Sequence, residues 1–166
     1  MGKVFSLKEE SFTCRTSSGE ETINLGLRLG TLLNEGDIVA LAGDLGSGKT
    51  WFTKGVALGL EISADTVITS PSFSLMNEYQ GRYALFHIDV YRLENVSDFL
   101  DAGLDEYLYG NGITVMEWAD RWPEILPGRS IKVQFLILDE YSREITLSGY
   151  HPKALRILKQ ISEEVE

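Results

Sequence analysis

One segment constrains this chain more than any other: Gly43-Asp44-Leu45-Gly46-Ser47-Gly48-Lys49-Thr50, which matches G-x-x-x-x-G-K-S/T. The pattern requires a strand before it and a helix after it. Asp37 is followed by Ile-Val-Ala-Leu-Ala, an apolar run that reads as a buried strand. Residues 49–60 read as a helix with Phe52, Val56 and Leu60 on one face. Each loop position has a physical reason. The glycines let the backbone turn tightly and aim N–H groups at a phosphate. The helix adds its positive N-terminal end. Lys49 brings a flexible point charge for the β- and γ-phosphates, and the Thr50 hydroxyl can ligate Mg²⁺. The expectation is a nucleoside triphosphate site, with ATP and Mg²⁺ as ligands. No Asn-Lys-x-Asp guanine-reading pattern occurs, which leans the base towards adenine.

The remaining pattern supports an α/β chain. Residues 11–15 read as a short strand. Ser18-Gly19-Glu20-Glu21 has capping-box spacing and opens a helix carrying Leu25, Leu29, Leu32 and Leu33. Residues 67–75 form an extended loop around Pro71, and residues 83–90 and 113–118 read as strands. Residues 131–138 and 144–147 suggest a hairpin, and residues 151–165 a closing helix with Leu155, Leu158, Ile161 and Val165 on one face. Strands alternating with helices predict a three-layer fold like that of P-loop NTPases, with a mainly parallel central sheet and a C-terminal antiparallel hairpin adding edge strands. The 166 residues suit a single domain spanning 1–166.

Composition removes several function classes. The net charge is −10, from 25 acidic and 15 basic residues, which disfavours tight direct gripping of a nucleic-acid backbone. Cys14 is the only cysteine, so an internal disulfide and a Cys-based metal site are out. No apolar run approaches the ~20 residues of a membrane span, and residues 1–10 lack a signal-peptide core. Gly2 and Ser6 fit a myristoylation pattern only nominally. The cytoplasm is the expected compartment.

A phosphate loop needs a second metal anchor, commonly an acid at the end of another strand. Asp89, in Phe86-His87-Ile88-Asp89-Val90, is either that anchor or an ordinary acidic strand end. Glu117, before Trp118, is either a second anchor or a surface acid. Asp44, Asp89 and Glu117 all fall near strand carboxyl ends, where α/β sheets gather ligands. Ser70-Pro71-Ser72-Phe73-Ser74 is a hydroxyl-rich loop that can sense a γ-phosphate or merely connect elements. Trp118, Trp122 and Pro123 either shape a nucleotide rim or pack a corner, and His87 and His151 read as structural.

Taken together and in order, these residues resemble the TsaE (YjeE) family. The set runs from Thr16-Ser17-Ser18-Gly19-Glu20-Glu21-Thr22 and Leu25-Gly26 through the phosphate loop. It continues through Ser70-Pro71-Ser72-Phe73-Ser74-Leu75 and Glu78-Tyr79 to His87-Ile88-Asp89-Val90-Tyr91-Arg92-Leu93, similar to a His-x-Asp-x-Tyr-Arg signature. Ala102-Gly103-Leu104, Glu117-Trp118, Leu126-Pro127 and Arg143 follow, so residues 12–148 are covered. The resemblance implies slow ATP hydrolysis coupled to a TsaB–TsaD complex, in which TsaD transfers a threonylcarbamoyl group to adenosine in tRNA. Met only through those partners, tRNA would be an indirect contact. Carried over, Lys49 and residues 44–48 hold phosphates, while Thr50 and Glu117 hold Mg²⁺. Asp89 acts on the metal or its water, and Ser70 and Ser72 belong to a switch-like loop. Thr16, Ser18, Trp118 and Arg143 lie near the nucleotide.

Two positions depart from the family pattern. Ser72 replaces a threonine, keeping the hydroxyl and losing a methyl. Trp51 stands where the family carries a second small hydroxyl residue. Two competing readings remain on the same scaffold: a small-molecule kinase, which needs an arginine-bearing lid, and a nucleotide-gated binding module that does not hydrolyse. Arg82, Arg92, Arg121 and Arg129 are scattered, without a lid-like insertion.

Overall fold

The computed structural model describes residues 8–165, so the leader and myristoylation readings lie outside the described residues. Seven strands form one sheet: β1 (Glu10–Thr16), β2 (Ile38–Ala42), β3 (Met76–Gln80), β4 (Ala84–Asp89), β5 (Ile113–Glu117), β6 (Ile131–Ile137) and β7 (Arg143–Gly149). Their spatial order is β1-β7-β6-β2-β5-β4-β3. The centre, β6-β2-β5-β4, is parallel, whereas β7, β1 and β3 join antiparallel. β2 and β5 are buried at every position, as expected of central strands covered on both faces.

The helices are α1 (Gly19–Leu32), α2 (Lys49–Gly59), α3 (Val96–Asp101), α4 (Glu106–Tyr109) and α5 (Pro152–Val165). α1, α2 and α5 cover one face. Their Leu25, Leu29, Phe52, Val56, Leu158 and Ile161 pack with Val39 and Leu41 of β2. The other face is thinner: Phe99 and Leu108, from the short α3 and α4, pack on Ile38, Ala40, Ile88 and Met116. Alternate residues of β2 thus face the two layers, as a period of two requires.

α1 opens as its spacing predicts. The Ser18 hydroxyl accepts from the Glu21 N–H at 3.1 Å, while the Glu21 carboxylate accepts from the Ser17 N–H, one residue earlier than in the usual capping box. α1 and α2 touch backbone to backbone. A Cβ on Gly55 would lie 2.0 Å from the Ile23 carbonyl oxygen, and one on Gly26 would lie 2.2 Å from that of Phe52. Only glycine permits that approach. It seats α2, and the loop leading into it, firmly on the domain.

The sheet edges differ from the sequence expectation. The hairpin pairs as expected, but β6 belongs to the parallel centre and β7 is covered by β1, so the edges are β1 and β3. β3 escapes sequence detection because Met-Asn-Glu-Tyr-Gln shows no clean apolar alternation. Within the loop before it, Ser72–Ser74 form a turn closed by the Leu75 N–H donating to the Pro71 carbonyl at 2.9 Å.

Candidate functional site

The parallel centre brings the named carboxylates to one end of the sheet. Leu41, one residue before the end of β2, pairs with Glu117, which in turn pairs with Asp89. The chain leaving β2 enters the phosphate loop beside both acids. Gly46 and Gly48 adopt φ of 78° and 104°, conformations that favour glycine. No side chain caps the N-terminus of α2, leaving its first N–H groups free for an anion.

A cleft of about 470 Å³ opens over this end. Asp44, Leu45, Gly46, Ser47, Gly48, Lys49 and Thr50 line it, together with Ser70, Ser72, Asp89, Glu117 and Trp118. Tyr91, Arg92 and Trp51 also reach it, a contribution that the site residues read from sequence did not include. Lys49 is 6% exposed. Its ammonium donates to the Gly43 carbonyl and, at 3.3 Å, to that of Asp44, and it lies 3.8 Å from the centre of a Trp118 ring. Burial pushes the Lys49 pKa down, while Glu117, Asp89, Asp120 and Asp44 oppose the shift. An incoming phosphate would supply the negative partner that this partly desolvated cation lacks. Trp118 holds its position with φ of 63°, unusual for a bulky residue and so a sign of local strain.

The acids form one hydrogen-bonded group. The Ser70 hydroxyl bridges Asp89 and Glu117, lying 2.9 Å from Glu117 Oε2. The Thr50 hydroxyl faces Glu117 Oε1 at 3.4 Å, and the Tyr91 N–H donates to Asp89 Oδ1 at 2.8 Å. His87, fully buried, places Nε2 3.1 Å from Glu117 Oε2. With its proton on Nε2 the ring donates to the carboxylate. His87 is therefore structural in a specific sense: it orients Glu117. Burial pushes the Glu117 pKa up, but His87, Ser70 and Lys49 outweigh it and hold the carboxyl below its ordinary value.

A second cavity of about 180 Å³ shares Gly46, Gly48 and Trp51 with the cleft and reaches Ser18, Thr22, Tyr141 and Arg143. Arg143 acts as a brace. Its guanidinium donates to the Gly46 carbonyl at 3.0 Å and to the carbonyls of Asp139 and Ser142 in the hairpin turn. Thr16 lines neither cavity; it is buried behind Thr22, to which it is hydrogen-bonded at 2.8 Å.

The sequence model of the family described as "Threonylcarbamoyl adenosine biosynthesis protein TsaE" matches residues 16–145. This chain belongs to the TsaE family. Curated TsaE relatives agree along most of its length. One from Treponema pallidum, named tRNA threonylcarbamoyladenosine biosynthesis protein TsaE, is 44% identical across 81% of this chain and 98% of its own. A Bacillus subtilis protein of the same name is 38% identical across 89% and 92%. The crystal structure of Bacillus subtilis YdiB superimposes with a TM-score of 0.78 at 33% identity, covering 97% of this chain and all of that one. The α/β fold, with its parallel centre and antiparallel edges, is thus shared with a solved TsaE-like structure. The family's role is in threonylcarbamoyladenosine biosynthesis.

Proposed function

We propose that this TsaE-family chain is a Mg²⁺-dependent ATPase of low intrinsic turnover. It would serve threonylcarbamoyladenosine modification of tRNA by acting on a TsaB–TsaD complex in the cytoplasm. The observation carrying this reading is the meeting of the phosphate loop with Glu117 and Asp89 through hydrogen bonds to Thr50 and Ser70. Lys49 would exchange its carbonyl partners for the β- and γ-phosphates, helped by the free N–H groups at the start of α2.

The donors beside the loop suit Mg²⁺, because Thr50, Glu117 and Asp89 offer only oxygen. When bound, that ion neutralises phosphate charge. The protein's part is positioning. His87 and Ser70 orient Glu117, while the Tyr91 N–H and the Ser70 hydroxyl each hold one oxygen of Asp89, fixing the carboxylate that would direct a water at the terminal phosphate. Ser70 and Ser72 share a short loop against the cleft, so loss of the terminal phosphate can be passed to the exposed Phe73 between them and Ser74.

Low turnover follows from the arginines. Arg82, Arg121 and Arg129 are each bound to backbone carbonyls, and none of them lines the cleft. Arg92 reaches the cleft, but its guanidinium lies over the Phe73 ring at 4.1 Å. These commitments also weigh against an arginine-bearing kinase lid. The net charge of −10 supports contact with tRNA through partners. No helix among the described residues is long and apolar enough to cross a membrane.

Calorimetry with Mg²⁺ and ATP, followed by steady-state hydrolysis with and without TsaB–TsaD, tests the reading. Binding with slow turnover that rises on adding the complex is expected. Absence of binding, or fast turnover in isolation, would overturn it.

A further inference from the structure

Trp51 lies where the helix after the phosphate loop meets α1. It follows Thr50 in the first turn of α2, and its indole lies against Gly19 at the start of α1: a Cβ built on Gly19 would meet the ring carbons at 3.4 Å. The rest of the ring stays open, with 52% of the residue exposed. Trp51 lines both the cleft and the second cavity, so it marks the border between them. Tyr141, also exposed, lines the second cavity. Its turn is fixed by Asp139, whose carboxylate accepts from the Tyr141 and Ser142 N–H groups at 2.9 and 2.8 Å. Arg143 ties that turn to Gly46. Trp118, by contrast, sits under Lys49 on the phosphate side.

We propose that Trp51, aided by Tyr141, is the stacking platform for the base of a bound nucleoside triphosphate and makes the site prefer purines to pyrimidines. This rests on the nucleotide reading above. A triphosphate on the loop has the second cavity as its immediate neighbour, because Gly46 and Gly48 wall both spaces. A volume of about 180 Å³ admits one heterocycle. Two of the cavity's three hydroxyls are already engaged within the fold, Ser18 with the Glu21 N–H and Thr22 with Thr16 and the Ser18 carbonyl. Selection therefore comes from ring area more than from reading the base edge. Stacking is sequence-tolerant, and a two-ring base covers more of the indole than a one-ring base.

The test is calorimetry with Mg²⁺ on the wild type, Trp51→Ala and Trp51→Phe, each titrated with ATP, UTP and inorganic tripolyphosphate. Trp51→Ala is expected to weaken ATP binding about tenfold and to shrink the ATP-over-UTP preference. Trp51→Phe should restore most of both, and tripolyphosphate should bind all three proteins alike. Equal ATP affinity in Trp51→Ala and wild type overturns the platform while leaving the nucleotide site standing. So does an equal loss for tripolyphosphate, which would make Trp51 a mere prop for the loop. If the wild type binds neither ATP nor tripolyphosphate, the nucleotide reading and this inference fall together. Matching thermal melts of the three proteins separate all these outcomes from misfolding.

Discussion

The two sides of the phosphate loop are built by different means. On the inner side Lys49, Glu117, Asp89 and His87 are buried, and hydrogen bonds join most of them into one group. On the outer side Trp51 and Tyr141 are exposed, and the polar work is done by a brace, Arg143, whose partners are backbone carbonyls. Buried charges act strongly on one another because little water screens them. Exposed rings act through area and are indifferent to ionic strength. The inner side is thus suited to phosphate and metal chemistry, and the outer side to holding a flat, uncharged group.

The largest expected effect breaks the inner side alone. Lys49→Ala should lower nucleotide affinity about a hundredfold, because charge-assisted bonds to phosphate are among the strongest available. Calorimetry with ATP reads it, and a loss shared equally by adenosine would erase the distinction between the sides. Next, His87→Ala should cut Mg²⁺-dependent turnover by about 10–100-fold, as removal of a group orienting a metal-binding carboxylate does. An unchanged rate, at a melting temperature equal to wild type, would show that Glu117 keeps its orientation without the imidazole.

A third substitution strikes both sides through their common stem. Gly55→Ala pushes a methyl onto the Ile23 carbonyl of α1 and should destabilise the fold by about 2–3 kcal/mol, outweighing the better helix propensity of alanine. Urea unfolding measures it. A neutral result would mean that α2 can slide on α1 without disturbing the loop.

The smallest effect is one of pH. The folded Glu117 carboxyl lies below its ordinary value, so the folded state binds fewer protons there than the unfolded state. Its stabilising contribution is present in full above the ordinary carboxylate value and is lost as pH falls through the folded value. Urea midpoints across the acid range should fall less steeply in Glu117→Gln than in the wild type. Parallel curves would assign the acid sensitivity to other carboxylates.

Particular residues show where sequence reading reached its limit. The strand, loop and helix around Lys49 were legible because the glycines and the apolar runs are local signals. Ser18 was legible as a cap for the same reason. β3 and the short α3 and α4 were not: Met76–Gln80 lacks alternation, and α3 and α4 are too short to show a helical period. Asp89 and Glu117 were visible as acids at strand ends, but each had an ordinary alternative. His87 read simply as structural, and its part in orienting Glu117 was hidden because that partner lies 30 residues away in sequence.

The phosphate loop, the α/β pattern and the family were legible in the chain alone. Each rests on neighbours in the chain or on an ordered set of motifs. Which acids stand beside the loop, that Ser70 joins them, and that Trp51 borders a second cavity emerge only on folding. Those facts depend on strand order and register, which place residues tens of positions apart within hydrogen-bonding distance and leave no mark on the chain locally. Gly55 makes the same point: it is an unremarked small residue in its own helix, and the need for it appears only when the two backbones meet.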